Sequence, residues 1–172
     1  MFMKNFILFF FIICLMFITS CATDEQCREN KTVISKIGFY HITKSLIGNT
    51  ITSSPLTIDS ISIRGLIYNS TSKMYILMDS LLYRNALAKS NVLLPLNKFS
   101  SISQFEITFN YKTKDTISVL YEKSDQYLSL DCGCIKVFKL DTVLTTNHFI
   151  DSIRITNHIV NTTNAENIHL YK

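Results

Sequence analysis

The chain has 172 residues, 17 of them basic and 13 acidic, for a formal net charge of +4. That length suits one domain with a proper core. The weak charge is scattered and forms no basic run, which excludes a nucleic-acid footprint, and four glycines leave no glycine-rich loop to cradle a phosphate.

The N-terminus is organised before anything else. Lys4 supplies a positive start, Phe6–Ile18 is unbroken apolar sequence, and Thr19-Ser20 leads into Cys21. A charged start, a short apolar stretch and a small-residue cleavage site make an export signal. The apolar run is short of the roughly 17–25 residues that span a bilayer. With Cys21 after the small pair, the segment resembles a bacterial lipoprotein signal, whose lipobox reads apolar, small, small, Cys. An uncleaved anchor and a plain secretory peptide are the alternatives. The resemblance implies cleavage before Cys21 and acylation of its thiol, and two or more acyl chains hold a protein stably on a membrane. The chain then divides into a signal at 1–20, an acylated polar leader at 21–31 and one domain at 32–172. Removing Lys4 with the signal leaves 16 basic against 13 acidic residues, a net +3. No Asp follows Cys21 directly, which favours the outer membrane. Asp24-Glu25 faintly resembles an acidic surface-export signal, although a solvated linker is the simpler reading.

Three cysteines remain beyond Cys21: Cys27, Cys132 and Cys134. Export places them in a disulfide-permissive compartment, and an odd count leaves one over. On a strand, Cys132 and Cys134 share a face, and bridging them strains the extended chain. The favoured bridge is Cys27–Cys132, with Cys27–Cys134 second and three buried thiols as the remaining alternative. Cys-Gly-Cys lacks the spacing of a structural zinc site, so no metal is expected.

In chain order, Thr32–Ile42 reads as a strand from its β-branched and aromatic residues. Asp59–Arg64 alternates, with Ile61 and Ile63 inward and Ser60, Ser62 and Arg64 outward. Gly65 suggests a bend. Lys73–Met78 is a further strand. Asp79–Ser90 reads as a short capped helix or, preferably, a strand through Leu81–Tyr83 and a loop. Pro95 argues against a central strand at Leu94–Leu96. Ser103–Lys112 carries the clearest alternation: Phe105, Ile107, Phe109 and Tyr111 against Gln104, Glu106, Thr108 and Asn110. With Asp115–Tyr121 it forms an antiparallel hairpin, whose turn type no Asn-Gly or Asp-Gly fixes. Tyr127–Leu140 reads as one strand bulged at Gly133, and Ile150–Ile155 and Asn167–Tyr171 close the chain. These elements predict an all-β fold, an antiparallel β-sandwich of about 7–9 strands, immunoglobulin-like in general architecture.

Asp-Ser/Thr-apolar occurs at Ser60, Ser80, Thr116, Thr142 and Ser152. The tripeptide resembles the acceptor for O-glycosylation of exported Bacteroidetes proteins, and alternation turns Ser60, Thr116 and Ser152 to solvent. Ordinary loop-to-strand punctuation produces the same pattern. Asn69-Ser70-Thr71 and Asn161-Thr162-Thr163 match the N-glycosylation acceptor, by chance if a bacterial lipobox precedes them. Thr146-Asn147-His148 recurs as Thr156-Asn157-His158, and surface histidines explain it better than a metal pair. No nucleophile elbow or His-Glu-x-x-His motif stands in the chain, so no catalytic residue and no cofactor are assigned.

The lipobox, the following Cys27, Leu94-Pro95-Leu96, Cys132-Gly133, Thr146-Asn147, Ile150–Ile155 and Glu166-Asn167-Ile168 together resemble a family of small Bacteroidetes lipoproteins of unknown function. The resemblance spans nearly the whole mature chain. It implies a β-rich periplasm-facing or surface domain without established activity. Cys134 is extra to its pattern, which supports Cys132 as the paired cysteine. The expectation is a lipid-anchored outer-membrane protein, held by Cys21, that binds or scaffolds another envelope protein. A glycan-binding or glycan-processing accessory is the alternative.

Overall fold

The computed structural model describes residues 30–44, 51–69 and 71–172. The signal segment, Cys21, Cys27 and all but the last two residues of the leader lie outside the described residues. Eleven strands and no helix run through the described part: β1 (Ser35–Lys44), β2 (Ile51–Pro55), β3 (Ile58–Asn69), β4 (Met74–Lys89), β5 (Asn91–Leu94), β6 (Ile102–Phe109), β7 (Thr113–Ser129), β8 (Gly133–Thr145), β9 (Ser152–Ile155), β10 (Ile159–Val160) and β11 (Glu166–Tyr171). The expected all-β sandwich is present, with more strands than expected because short pieces at β2, β5 and β10 also pair.

One sheet runs β2-β1-β11-β9, with β5 also pairing β1; the other runs β10-β8-β7-β6-β3-β4. Neighbours are antiparallel except β1 and β11, which are parallel. The period-two rule explains the layers. In β6, Ser103, Phe105, Ile107 and Phe109 are buried, and the residues between them are half-exposed. Ile117, Val119 and Tyr121 of β7 and Ile37 and Phe39 of β1 supply the same interior. Phe39 meets Phe109 edge to face across the sandwich, with ring centroids 6.0 Å apart. Each such ring or branched chain contributes about 1.5–3 kcal/mol when fully buried.

Several local expectations change. Asp79–Ser90 is neither a helix nor a short strand with a loop, since β4 runs unbroken from Met74 to Lys89 as the edge of the larger sheet. Tyr127–Leu140 is not one bulged strand. The chain turns back between Ser129 and Gly133, which pair across the turn. Gly133 takes φ +69°, a conformation costly for a side-chain-bearing residue, and so permits the reversal. Cys132 and Cys134 consequently do not share a strand face: Cys132 is buried and Cys134 exposed.

Ser60, expected outward, is 2% exposed. Asn110, just past β6, engages both its backbone groups: the Ser60 N–H donates to Asn110 Oδ1 at 3.2 Å, and the Asn110 N–H donates to the Ser60 carbonyl at 2.8 Å.

Candidate functional site

The outer face of the larger sheet carries a groove of about 310 Å³. Its floor follows from the alternation that builds the core. Where Ile61, Ile63, Phe105 and Ile107 point in, Ser62 and Arg64 of β3 and Glu106 and Thr108 of β6 point out. Arg64 lies opposite Glu106 across the ladder, and the Lys114 ammonium reaches Glu106 at 3.1 Å. Lys114 thus pairs with the carboxylate, and the Arg64 guanidinium adds a second positive charge to the groove lining. Leu77 and Leu81 of β4 form an apolar wall. Asn85 closes one end: its N–H donates to Ser62 Oγ at 2.9 Å, and the Ser62 hydroxyl donates to Asn85 Oδ1 at 2.7 Å.

Tyr111 stands at the rim and is 66% exposed. The β6–β7 turn positions it. The Lys112 N–H donates to the Phe109 carbonyl at 3.0 Å, and Asn110 and Tyr111 take φ of 49° and 61°. Two positive φ values are what a type I′ hairpin turn requires. Asparagine tolerates that region, but for tyrosine it is a strained choice. Such strain concentrates at ligand-binding positions. The groove therefore offers an aromatic face, an apolar wall and fixed hydroxyl, amide and charged groups. Its lining holds one carboxylate, Glu106. Such a lining can bind a polar ligand with an apolar or ring face.

A second polar cluster lies on the smaller sheet. The Tyr40 hydroxyl donates to Glu166 Oε1 at 2.7 Å, and His169 Nε2 lies 2.9 Å from the same oxygen. Residues three apart on a regular strand face opposite ways. Here the register shifts at Asn167, so Glu166 and His169 fall on one side. The displaced Asn167 is buried; it accepts from the Lys36 N–H and donates to the Asn157 and Ile159 carbonyls. Gly38 leaves the space that the Glu166 carboxyl occupies. The hydrogen bond to Glu166, then burial, pushes the Tyr40 hydroxyl up to about 12. Both oxygen-bound partners of Glu166 are internal, so the cluster ties β1 to β11.

Asp115 is a third unexpected group, 1% exposed. Its carboxylate accepts from the Thr146 hydroxyl and from the backbone N–H groups of His148, Phe149 and Ile150 at 2.7–3.0 Å. Burial alone would raise its pKa. The N–H donors of His148, Ile150 and Phe149, with the Thr146 hydroxyl, outweigh that and hold it below its ordinary value of 3.8.

The other residues singled out from sequence are dispersed. Ser80, Thr142 and Ser152 are exposed, and Thr116 is half-buried beside the sequestered Asp115. Ser60 presents no accessible hydroxyl, so its candidacy as a sugar acceptor is withdrawn. His148 lies against Asp115 and His158 against the Leu140 carbonyl, each with its own partner. Among the described residues no three His, Cys, Asp or Glu side chains are grouped to hold a metal ion. Cys132 is disulfide-bonded, and Cys134 is a free, exposed thiol.

Sequence reasoning missed the groove because its residues come from four strands and a turn. Tyr111 was legible only as the last member of an inward-pointing run, and the turn reversed it. No curated protein and no solved structure matches the chain. A family of unknown function, DUF6452, matches residues 70–172, from the turn before β4 through β11. The match covers more than half of the sequence, and the chain belongs to that family.

Proposed function

We propose that this chain is an exported, lipid-anchored cell-envelope protein whose β-sandwich is a non-enzymatic binding module, with its ligand seated in the groove beside Tyr111. The Lys4, Phe6–Ile18 and Thr19-Ser20-Cys21 pattern supports the export and acylation. In this reading Cys21 holds the protein to the outer membrane, and Cys27 is the partner of Cys132. The Tyr111 rim over a polar floor supports binding, and it favours a glycan as the ligand: an exposed ring stacks on a sugar face while fixed amide, hydroxyl and charged groups orient the hydroxyls. Ser80, Thr116, Thr142 and Ser152 remain candidate O-glycosylation acceptors.

Two measurements test these parts separately. Cys21→Ser in the native cells is expected to abolish acylation by mass spectrometry and release the protein from washed membranes; retention of the variant refutes the anchor. Titration of the purified protein against an oligosaccharide panel is expected to show binding that Tyr111→Ala and Arg64→Ala each weaken at least about tenfold, or about 1.4 kcal/mol. Binding indifferent to both substitutions, or none across the panel, refutes the groove.

A further inference from the structure

The edge of the larger sheet is treated unevenly along β4. Between Met74 and Leu77 the strand pairs regularly with Asn69–Leu66 of β3. Beyond that, the register shifts three times, and Asn85 and Ala88 take φ of 44° and 50°. Bulges of this kind twist an edge out of reach of another strand. The regular part has no such protection. Met74, Tyr75, Ile76, Leu77 and Met78 are five consecutive apolar side chains, exposed by 65, 43, 48, 40 and 38%. As β4 lies at the end of the strand order, the backbone groups on its outer side have no strand partner among the described residues.

The charges flanking this segment indicate its occupant. Lys73, the last residue of the turn before β4 with φ 53°, immediately precedes it, and Asp79, within β4, immediately follows it. Both are exposed, and among the described residues neither has an ion-pair partner. Ile76 lies midway between them. In an antiparallel pair of two such segments centred on Ile76, Met74 meets Met78 and Tyr75 meets Leu77, and the long Lys73 side chain of each copy, leaving the turn just before β4, is placed to reach Asp79 of the other. The segment is thus self-complementary in both apolar character and charge, as an isologous two-fold contact requires.

We propose that the Met74–Met78 edge of β4 pairs antiparallel with the same segment of a second copy of this chain, about a two-fold axis through Ile76, joining the two larger sheets into one. The pairing satisfies open backbone groups and covers the apolar side chains, with the ion pairs setting the register. It borders the groove, whose apolar wall shares Leu77 with this edge, but it does not require the groove's ligand.

Disulfide trapping in native membranes tests it with the full chain. Ile76→Cys places two thiols across the axis, and it is expected to yield a dimer on non-reducing gels well beyond that of the parent, whose Cys134 is also free. Thr163→Cys, exposed on a distant turn, is expected to give no such gain. Adding Asp79→Lys to Ile76→Cys sets lysine against lysine and is expected to cut trapping about tenfold. Further addition of Lys73→Asp restores it, which also shows that the charge variants fold. Trapping no greater than at Thr163→Cys overturns the proposal, as does indifference to charge reversal. Capture of the Ile76→Cys thiol by a different protein, or its labelling by a lipid-phase probe without dimer, also overturns it, in favour of a foreign strand or the bilayer.

Discussion

Asp115→Asn isolates the most concentrated set of interactions in the fold. Oδ1 accepts from the Thr146 hydroxyl and the His148 N–H, and Oδ2 accepts from the Phe149 and Ile150 N–H groups. An amide keeps only one acceptor oxygen. If its NH2 takes the Oδ2 position, two backbone donors face another donor; in the flipped orientation the Thr146 hydroxyl can turn to accept, and the His148 N–H alone faces a donor. Each donor left without an acceptor costs about 1–3 kcal/mol, so the variant, in its better orientation, is expected to lose about 1–3 kcal/mol. The loss should concentrate between β8 and β9, because these bonds hold Ile150 in the core and Phe149 stacked on Phe109 with ring centroids 4.2 Å apart. Urea unfolding gives the total, and amide exchange at positions 148–150 gives the location. The sign with pH follows from the depressed carboxyl. Its contribution is present above the unfolded value near 3.8 and is lost as pH falls through the lower folded value, so the gap between parent and variant narrows on acidification. A variant within about 0.5 kcal/mol of the parent, with amides 148–150 still protected, would refute this account.

Two other substitutions probe different layers. Phe109→Ala removes a fully buried ring that contacts both Phe39 and Phe149; a loss of about 3–5 kcal/mol in urea unfolding at unchanged m is expected, and a loss below about 1 contradicts the central place given to that ring. Glu166→Gln removes the carboxylate that raises Tyr40 to about 12; NMR titration of ring-labelled tyrosine should place Tyr40 near that value in the parent and closer to 10.0 in the variant. A parent Tyr40 already titrating near 10.0 would disprove the cluster.

The local record of this chain is strong where one strand face is dry. Ser103–Phe109 and Ile117–Tyr121 were readable because a strand presents alternate side chains to opposite sides, whatever its neighbours. The same rule failed at Ser60 and Cys132, and it gave no sign of the Glu166 cluster, for related reasons. Ser60 is buried where its backbone bonds to Asn110, fifty residues later. Glu166 joins His169 through a register shift that exists only because β11 pairs β1. Cys132 belongs to a turn that the Cys-Gly-Cys pattern disguised as a strand.

Membership in a family without assigned activity accords with the uncharacterised family expected from the motifs. It leaves the reading of the groove to its geometry. No motif could announce that groove, because Arg64, Glu106, Lys114 and Tyr111 become neighbours only after β3, β6 and β7 align.

The amino-acid order alone determined that this chain folds as strands and which side of its best strands is dry, since apolar periodicity acts over a few residues of a single segment. Tertiary structure decided which strands are neighbours, where register slips and which polar groups are sealed from water. Those outcomes depend on partners far along the chain, whose backbone and side chains must satisfy buried donors and acceptors together.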